Sequence, residues 1–194
     1  MGDFLVYFFH RLCYDSLDFT IEKSKIENMR LVKFLSLTGL STGIALLALP
    51  SNAAIISDLF PTGVDSSGTP LGDGVSDPHY NILETTSSGF VINGNLIPDS
   101  YVVPNSNWIW QEATGEPVKV TRTFRTTFDL TGLDPNTASI SGKWAVDNRG
   151  LDILVNGIST GQTTGETNFG YTELTTFNIN SGFVDGLNTL DFIV

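Results

Sequence analysis

Residues 118–130 read VKVTRTFRTTFDL. Within them Phe124, Thr126, Phe128 and Leu130 fall on one side of an extended chain, and Arg125, Thr127 and Asp129 fall on the other. A period of two, with one apolar side and one polar side, is the pattern of a half-buried strand. The same reading extends downstream. Thr131-Gly132-Leu133-Asp134-Pro135-Asn136 is a turn with Asp134-Pro135 as its initiator, and Ala138 to Val146 is the next strand, carrying Trp144. Leu151, Ile153 and Val155 alternate again and run straight into Asn156-Gly157. Asn-Gly between two apolar runs marks a hairpin, because a type I′ turn needs positive φ at both central residues. Thr175 to Ile179 and Leu190 to Val194 close the set, while His79 to Glu84, Phe90 to Ile92 and Tyr101 to Val103 lie upstream. No helical 3.6-residue period of useful length follows residue 54. Many short strands, frequent turns and no helices predict an all-β chain, a β-sandwich or jelly roll.

The N-terminal quarter follows different rules. Residues 29–54 read MRLVKFLSLTGLSTGIALLALPSNAA. Arg30 and Lys33 make a basic start, Phe34 to Leu49 is an uncharged apolar run, and Pro50 ends it ahead of the small residues Ser51 and Ala53. That order is the three-part pattern of a cleaved secretory signal. The apolar run is shorter than the ~20 residues a spanning helix needs, and Gly39, Gly43 and Pro50 weaken the alternative of an internal anchor. The expected organisation is an upstream extension over 1–28 that does not belong to the natural protein, a signal peptide over 29–53, and a β domain over 54–194. Residues 1–50 are expected not to pack into that domain. Leu190 to Val194 alternates to the last residue, so a missing final strand and tail are expected as well.

Composition narrows the chemistry. Cys13 is the single cysteine and lies upstream of the signal; beyond Ala53 there is one histidine, His79, and no methionine. Disulfides, thiol catalysis and Cys/His zinc sites are excluded from the β domain. Sixteen acidic and five basic residues follow Ala53, so the net charge of −11 resides there. Such a surface repels phosphate backbones and disfavours a nucleic-acid partner. It suits an extracellular protein that is simply soluble, or one that holds Ca²⁺. Catalytic signatures are lacking: no Gly-x-Ser-x-Gly elbow presents a nucleophile, no glycine loop with a lysine cradles phosphate, and no spacing singles out a carboxylate pair for glycoside hydrolysis. A lone histidine after Asp77-Pro78 reads as a loop or packing residue. The chain is therefore read as non-enzymatic.

Phe124 and Phe128, Trp144 with Asp147-Asn148, Val155-Asn156-Gly157, Gly161, Phe177 and Gly186-Leu187-Asn188-Thr189-Leu190 carry a family resemblance. From Thr123 onward the chain resembles a galactose-binding-like jelly roll. In particular it is similar to the β-sandwich domain of exported bacterial proteins that bear a C-terminal PEP-CTERM sorting signal. Asp77-Pro78-His79-Tyr80 and Trp108-Ile109-Trp110 look like the first half of that domain. The resemblance implies an exported domain at the cell surface or in the extracellular matrix, attached to the membrane only through its signal or a missing C-terminal anchor. The fold hosts binders, adhesins and spacers, so it implies no single function.

Two classes of site follow. Trp108 and Trp110 are two apart, so on a strand both rings point to one side. They make a stacking platform for sugar if that side is exposed and fill the core if it is not. Asn107 and Gln111, with Asn105, would supply contacts to sugar hydroxyls, and the partner would be a polysaccharide. Without such a platform the domain is structural or adhesive, with no small ligand. For metal, Asp65, Asp73 and Asp77 lie in a glycine-rich loop that reads either as a solvated acidic loop or as oxygen ligands for Ca²⁺. It lacks complete EF-hand spacing. The resemblance implies a structural Ca²⁺ on such a loop, and no other cofactor is expected.

Overall fold

A computed structural model of the chain describes residues 7–9, 21–22, 53–54, 56–92, 105–115, 119–147, 149–164 and 174–194. The signal segment as far as Asn52, the expected strand at 101–103, Val118 and Asn148 lie outside them. The elements in chain order are β1 (Tyr7–Phe9), β2 (Ile21–Glu22), β3 (Ala53–Ala54), β4 (Ser76–Ile82), β5 (Ser87–Val91), β6 (Ile109–Trp110) and β7 (Thr123–Asp129). They continue as β8 (Ile140–Asp147), β9 (Asp152–Val155), β10 (Ile158–Ser159), β11 (Thr175–Ile179) and β12 (Leu187–Ile193). A single 3₁₀ turn, Pro135–Thr137, is capped by the Asp134 side chain, which accepts from the Asn136 N–H. The chain is all-β among its described residues, and none of those forms a helix long and apolar enough to cross a membrane.

Seven strands form one antiparallel sheet in the order β10-β9-β12-β7-β4-β5-β6. Its spine is β7 against β12, paired from Thr123↔Ile193 to Asp129↔Leu187. Arg122 and Val194 continue the ladder by exchanging backbone hydrogen bonds. The alternation that predicted β7 holds: Phe124, Thr126 and Phe128 are buried while Thr127 and Asp129 are exposed. A second, shorter layer pairs β8 with β11, antiparallel, and β1 runs parallel along the other edge of β8. β2 pairs with β3. β1 and β2 both fall within residues 1–28.

Aromatic rings fill the space between the layers. Phe192 of β12 lies at the centre, with ring centroids 5.8 Å from Trp144 of β8, 6.1 Å from Phe177 of β11 and 6.3 Å from Tyr80 of β4. Trp144, as expected of a core residue, is fully buried. Offset and edge-on contacts of this kind add to the burial each ring already contributes.

Two strands begin earlier than predicted, for related reasons. β12 starts at Leu187 rather than Leu190, because its inward position 188 holds a buried asparagine that interrupts the apolar pattern. β4 starts at Ser76 rather than His79. Its inward residue there is the buried Asp77, and Pro78 removes a backbone donor. The pairing of β4 with β5 shifts register between Ser76 and Asn81, the local irregularity that lets a proline sit inside a strand.

Candidate functional site

The tryptophan segment does not form an open platform. Trp108 and Trp110 are each 1 % exposed, and Ile109 between them is fully buried. Both sides of this short strand are covered, so the two-residue spacing does not leave one side to solvent. Ile109 packs so close to β5 that a Cβ added to Gly89 would lie 2.9 Å from its Cδ1. Trp110 meets the Phe124 ring at 6.4 Å. The neighbouring polar residues are also engaged. Asn107 is buried and donates its amide to the carbonyls of Gly63 (3.1 Å) and Leu71 (2.8 Å). Gln111 accepts from Arg122 Nε at 2.6 Å. Asn105 is exposed, with a left-handed backbone (φ 68).

The three aspartates do not converge on a cation. Asp65 is half-buried and folds over its own turn, accepting from the N–H of Ser67, the hydroxyl of Ser67 and the N–H of Thr69. Those bonds hold its carboxyl below the usual range. Asp77 is buried and accepts from the N–H groups of Gly63, His79 and Tyr80. Burial nevertheless pushes its carboxyl up to about 7, against the pull of those three donors. Asp73 lies in the exposed turn between them. Among the described residues no three acidic or histidine side chains stand close enough together to hold a metal ion. The glycine-rich stretch is a self-bonded loop anchored to β4 through Asp77. His79 stacks on Phe60 with ring centroids 4.1 Å apart and 13° between planes. Its Nε2 finds no hydrogen-bond partner among the described residues, and burial lowers its pKa.

A concave surface appears elsewhere, between the β9–β10 hairpin and the end of β11. It encloses about 260 Å³. Asn156 (φ 51) and Gly157 (φ 78) make the predicted tight turn, and Val155 pairs with Ile158. The Asn156 side chain does more than turn the chain. It donates to the Gly182 carbonyl at 2.9 Å and to Asn188 Oδ1 at 2.8 Å, tying the hairpin to the loop after β11. Gly182 (φ 91) lies directly on Val155, where a Cβ would come within 3.4 Å of the Val155 Cβ. Val155 and Ile179, both buried, are among its lining residues. Ser159, Thr160 and Gln162 line it from the hairpin and the residues after it, and Asn178, Asn180 and Ser181 line it from the end of β11. Ile158, 64 % exposed, projects at the rim. None of the lining residues is ionisable.

Sequence reasoning read Asn156-Gly157 only as a turn and did not mark Asn178, Asn180 or Gln162. Isolated amides on a polar, turn-rich chain carry no spacing signal. Only the folding of β11 against the hairpin places them around one hollow. No protein-family model, no curated protein and no solved structure matches the chain.

Proposed function

We propose that the chain is an exported, non-catalytic β-sandwich domain of the galactose-binding-like jelly-roll type, acting as a structural or adhesive element at the cell surface or in the extracellular matrix. One observation carries the choice of an adhesive role over a tryptophan-based sugar platform. Trp108, Trp110, Asn107 and Gln111 are all engaged within the fold, and the eight largest fully buried side chains, three of them tryptophans, lie in its core. What remains for contact is the outer surface, whose acidity disfavours nucleic acid and favours solubility outside the cell. Export rests on the signal pattern of residues 29–53, and attachment through a PEP-CTERM-type tail rests on the family resemblance alone.

Expression in a bacterial host, followed by fractionation and N-terminal sequencing, tests the reading. The expected result is a chain beginning at Ala54 in the exported fraction and accessible to protease on intact cells. A chain that stays in the cytoplasm with residues 1–28 attached would overturn it.

A further inference from the structure

We propose that the Asp77–Pro78 peptide bond is a self-cleavage site: the buried Asp77 carboxyl attacks its own main-chain carbonyl carbon and expels the Pro78 nitrogen, leaving two pieces that stay assembled in one fold. The event happens once per chain, makes the protein no enzyme, and does not depend on the surface role proposed above.

Both sides of the bond suit this chemistry. A carboxyl group can act as a nucleophile and form a covalent intermediate. Here the attacked carbon belongs to the same residue, so no second molecule has to be brought into place. Asp77 Oδ1 accepts from the N–H of His79 at 2.7 Å and from that of Tyr80 at 3.2 Å. The ring closed by the first of these bonds runs through the Asp77 carbonyl carbon and the Pro78 nitrogen, so the carboxyl is folded back over the bond to be broken. Oδ2 is fixed by the N–H of Gly63 at 2.6 Å. Pro78 supplies the leaving group. Its nitrogen carries a ring carbon in place of hydrogen, and the added alkyl group makes it easier to protonate than an ordinary peptide nitrogen.

The reaction balances with water alone. An Asp77 carboxyl oxygen bonds to the carbonyl carbon, the carbon–nitrogen bond breaks, and its electron pair goes to the Pro78 nitrogen. The carboxyl proton moves to that nitrogen. The products are a cyclic anhydride at Asp77 and a free proline amine, and water then opens the anhydride to two carboxyl groups. The carboxyl must hold its proton at the start. Asp77 is fully buried, and this burial pushes its carboxyl up to about 7. No charged side chain among the described residues offsets the effect. Tyr80, the neighbouring ionisable group, is buried and neutral in this range, while His79 and Asp65 act on each other.

Asp134–Pro135 is a comparison built into the same chain. Asp134 Oδ1 also accepts from the N–H two residues on, that of Asn136, at 3.0 Å. Asp134 is only half-buried, however. The two bonds share a residue pair and a turn, and differ in burial. A cut at Asp77 would not release the piece ahead of it. Gly74 N–H donates to the Val91 carbonyl and Val91 N–H to the Val75 carbonyl, both at 2.8 Å. Asn107 holds the carbonyls of Gly63 and Leu71, and the Tyr80 hydroxyl donates to the Phe60 carbonyl at 3.0 Å.

Incubation of the purified full chain from pH 5 to pH 9, with inhibitors of every protease class, tests the site by intact mass and N-terminal sequencing. The expected result is a new N-terminus at Pro78, formed at a rate independent of protein concentration, with both pieces eluting together until denatured. The rate should fall about tenfold for each pH unit above the folded pKa. At pH 6 the folded chain should cleave at least about a hundredfold faster than the chain in urea, whose Asp77 carboxyl titrates near 3.8 and is almost wholly ionised. Asp134–Pro135 should stay intact at that pH. Pro78→Ala alters an exposed side chain, should fold, and should abolish the cut. Asp77→Asn should also abolish it, and Pro78→Ala decides alone if that variant does not fold. The proposal is overturned if the folded parent stays intact over weeks at pH 6, if Asp134–Pro135 is cut equally, if the rate scales with protein concentration, if the pieces separate without denaturant, or if folded Pro78→Ala is cut as fast as the parent.

Discussion

The side chains of Asn156 and Asn188 meet at 2.8 Å, the first donating its amide to the carbonyl oxygen of the second. Thirty-two positions separate them in sequence, yet they join the β9–β10 hairpin to the start of β12. Asn188 is fully buried and uses both ends of its carboxamide. Its oxygen also accepts from Val184 N–H, and its nitrogen donates to the carbonyls of Val184 and Gly186. Asn156 accepts from Thr189 N–H in turn.

Replacing Asn188 by alanine strands several buried or half-buried backbone groups at once. A buried unsatisfied group costs about 1–3 kcal/mol, so Asn188→Ala should destabilise by about 2–4 kcal/mol in chemical denaturation. Asn156→Gly keeps the positive φ of the turn and removes only the side-chain bonds. Because the two residues share one network, the double variant should be less destabilised than the sum of the singles, by about 0.5–3 kcal/mol. Additive effects would show that the two amides act independently.

Asp77 gives the fold an unusual pH dependence. Unfolded, its carboxyl titrates near 3.8; folded, burial lifts it to about 7. Between those values the native state keeps a proton that the unfolded chain has released. Stability from this group therefore falls as pH rises through that window and levels off above it. The full effect is at most about 4 kcal/mol, at ~1.4 kcal/mol for each pH unit. Asp65 and Asp129, held low by hydrogen bonds, work in the opposite sense, since their contribution is lost as pH falls through their folded pKa values. Comparison with Asp77→Asn isolates the one group. The variant sets an amide N–H against the N–H of Gly63 and should be less stable throughout, but the gap between parent and variant should narrow from pH 4 to pH 7. A gap that widens over that range would mean that the three backbone donors keep Asp77 ionised.

On the outer side of the large sheet, Arg125 and Asp191 stand directly opposite on β7 and β12. Arg125 places Nε and one terminal nitrogen on the two carboxylate oxygens, both at 2.6 Å. The side chain of Asp191 is 3 % exposed and that of Arg125 is 35 % exposed. Removing the arginine leaves a buried carboxylate without its cation. Arg125→Ala should cost about 1–3 kcal/mol, less than the ~3–5 kcal/mol of a wholly buried pair because water reaches the guanidinium side. Arg125→Lys cannot make the paired contact and should recover only part of the loss. Equal stability of the lysine variant and the parent would show that charge alone is enough.

The strands with clean alternation were legible in the sequence. β7, β9 and β11 sit where Phe124 and Phe128, Ile153 and Val155, and Phe177 and Ile179 predict them. Strands with a polar residue turned inward were legible only in part, as Asn188 and Asp77 show. The Trp108–Trp110 spacing left two outcomes open, because a period of two fixes the side of a strand but not whether something covers it. The Asp65–Asp77 stretch carried the composition of a cation loop. The hydrogen bonds that use up those carboxylates depend on where the backbone of Gly63, Ser67 and Thr69 comes to lie, and no spacing reveals that.

Trp144 packs closely against Gly150, just ahead of β9. A Cβ built at Gly150 would lie 2.4 Å from Cη2 and 2.6 Å from Cζ3 of the Trp144 ring, and 2.8 Å from the Thr164 methyl. The Gly150 N–H also donates to the Thr164 hydroxyl at 2.7 Å, and its carbonyl accepts from the Thr164 N–H. Neither neighbour has room to withdraw. The indole is fully buried and packs on Phe192, while Thr164 is held by both bonds. Overpacking of this kind costs about 1–3 kcal/mol, so Gly150→Ala should lower the thermal midpoint and redshift or broaden the tryptophan emission as the ring moves. Trp144→Ala should cost about 3–5 kcal/mol on its own. In the double variant Gly150→Ala/Trp144→Ala the new methyl group has the vacated indole space to enter. The alanine at 150 should then be nearly neutral, so that the double variant is about as stable as Trp144→Ala alone. If Gly150→Ala costs the same with and without the indole, the contact with Trp144 is not what demands glycine here.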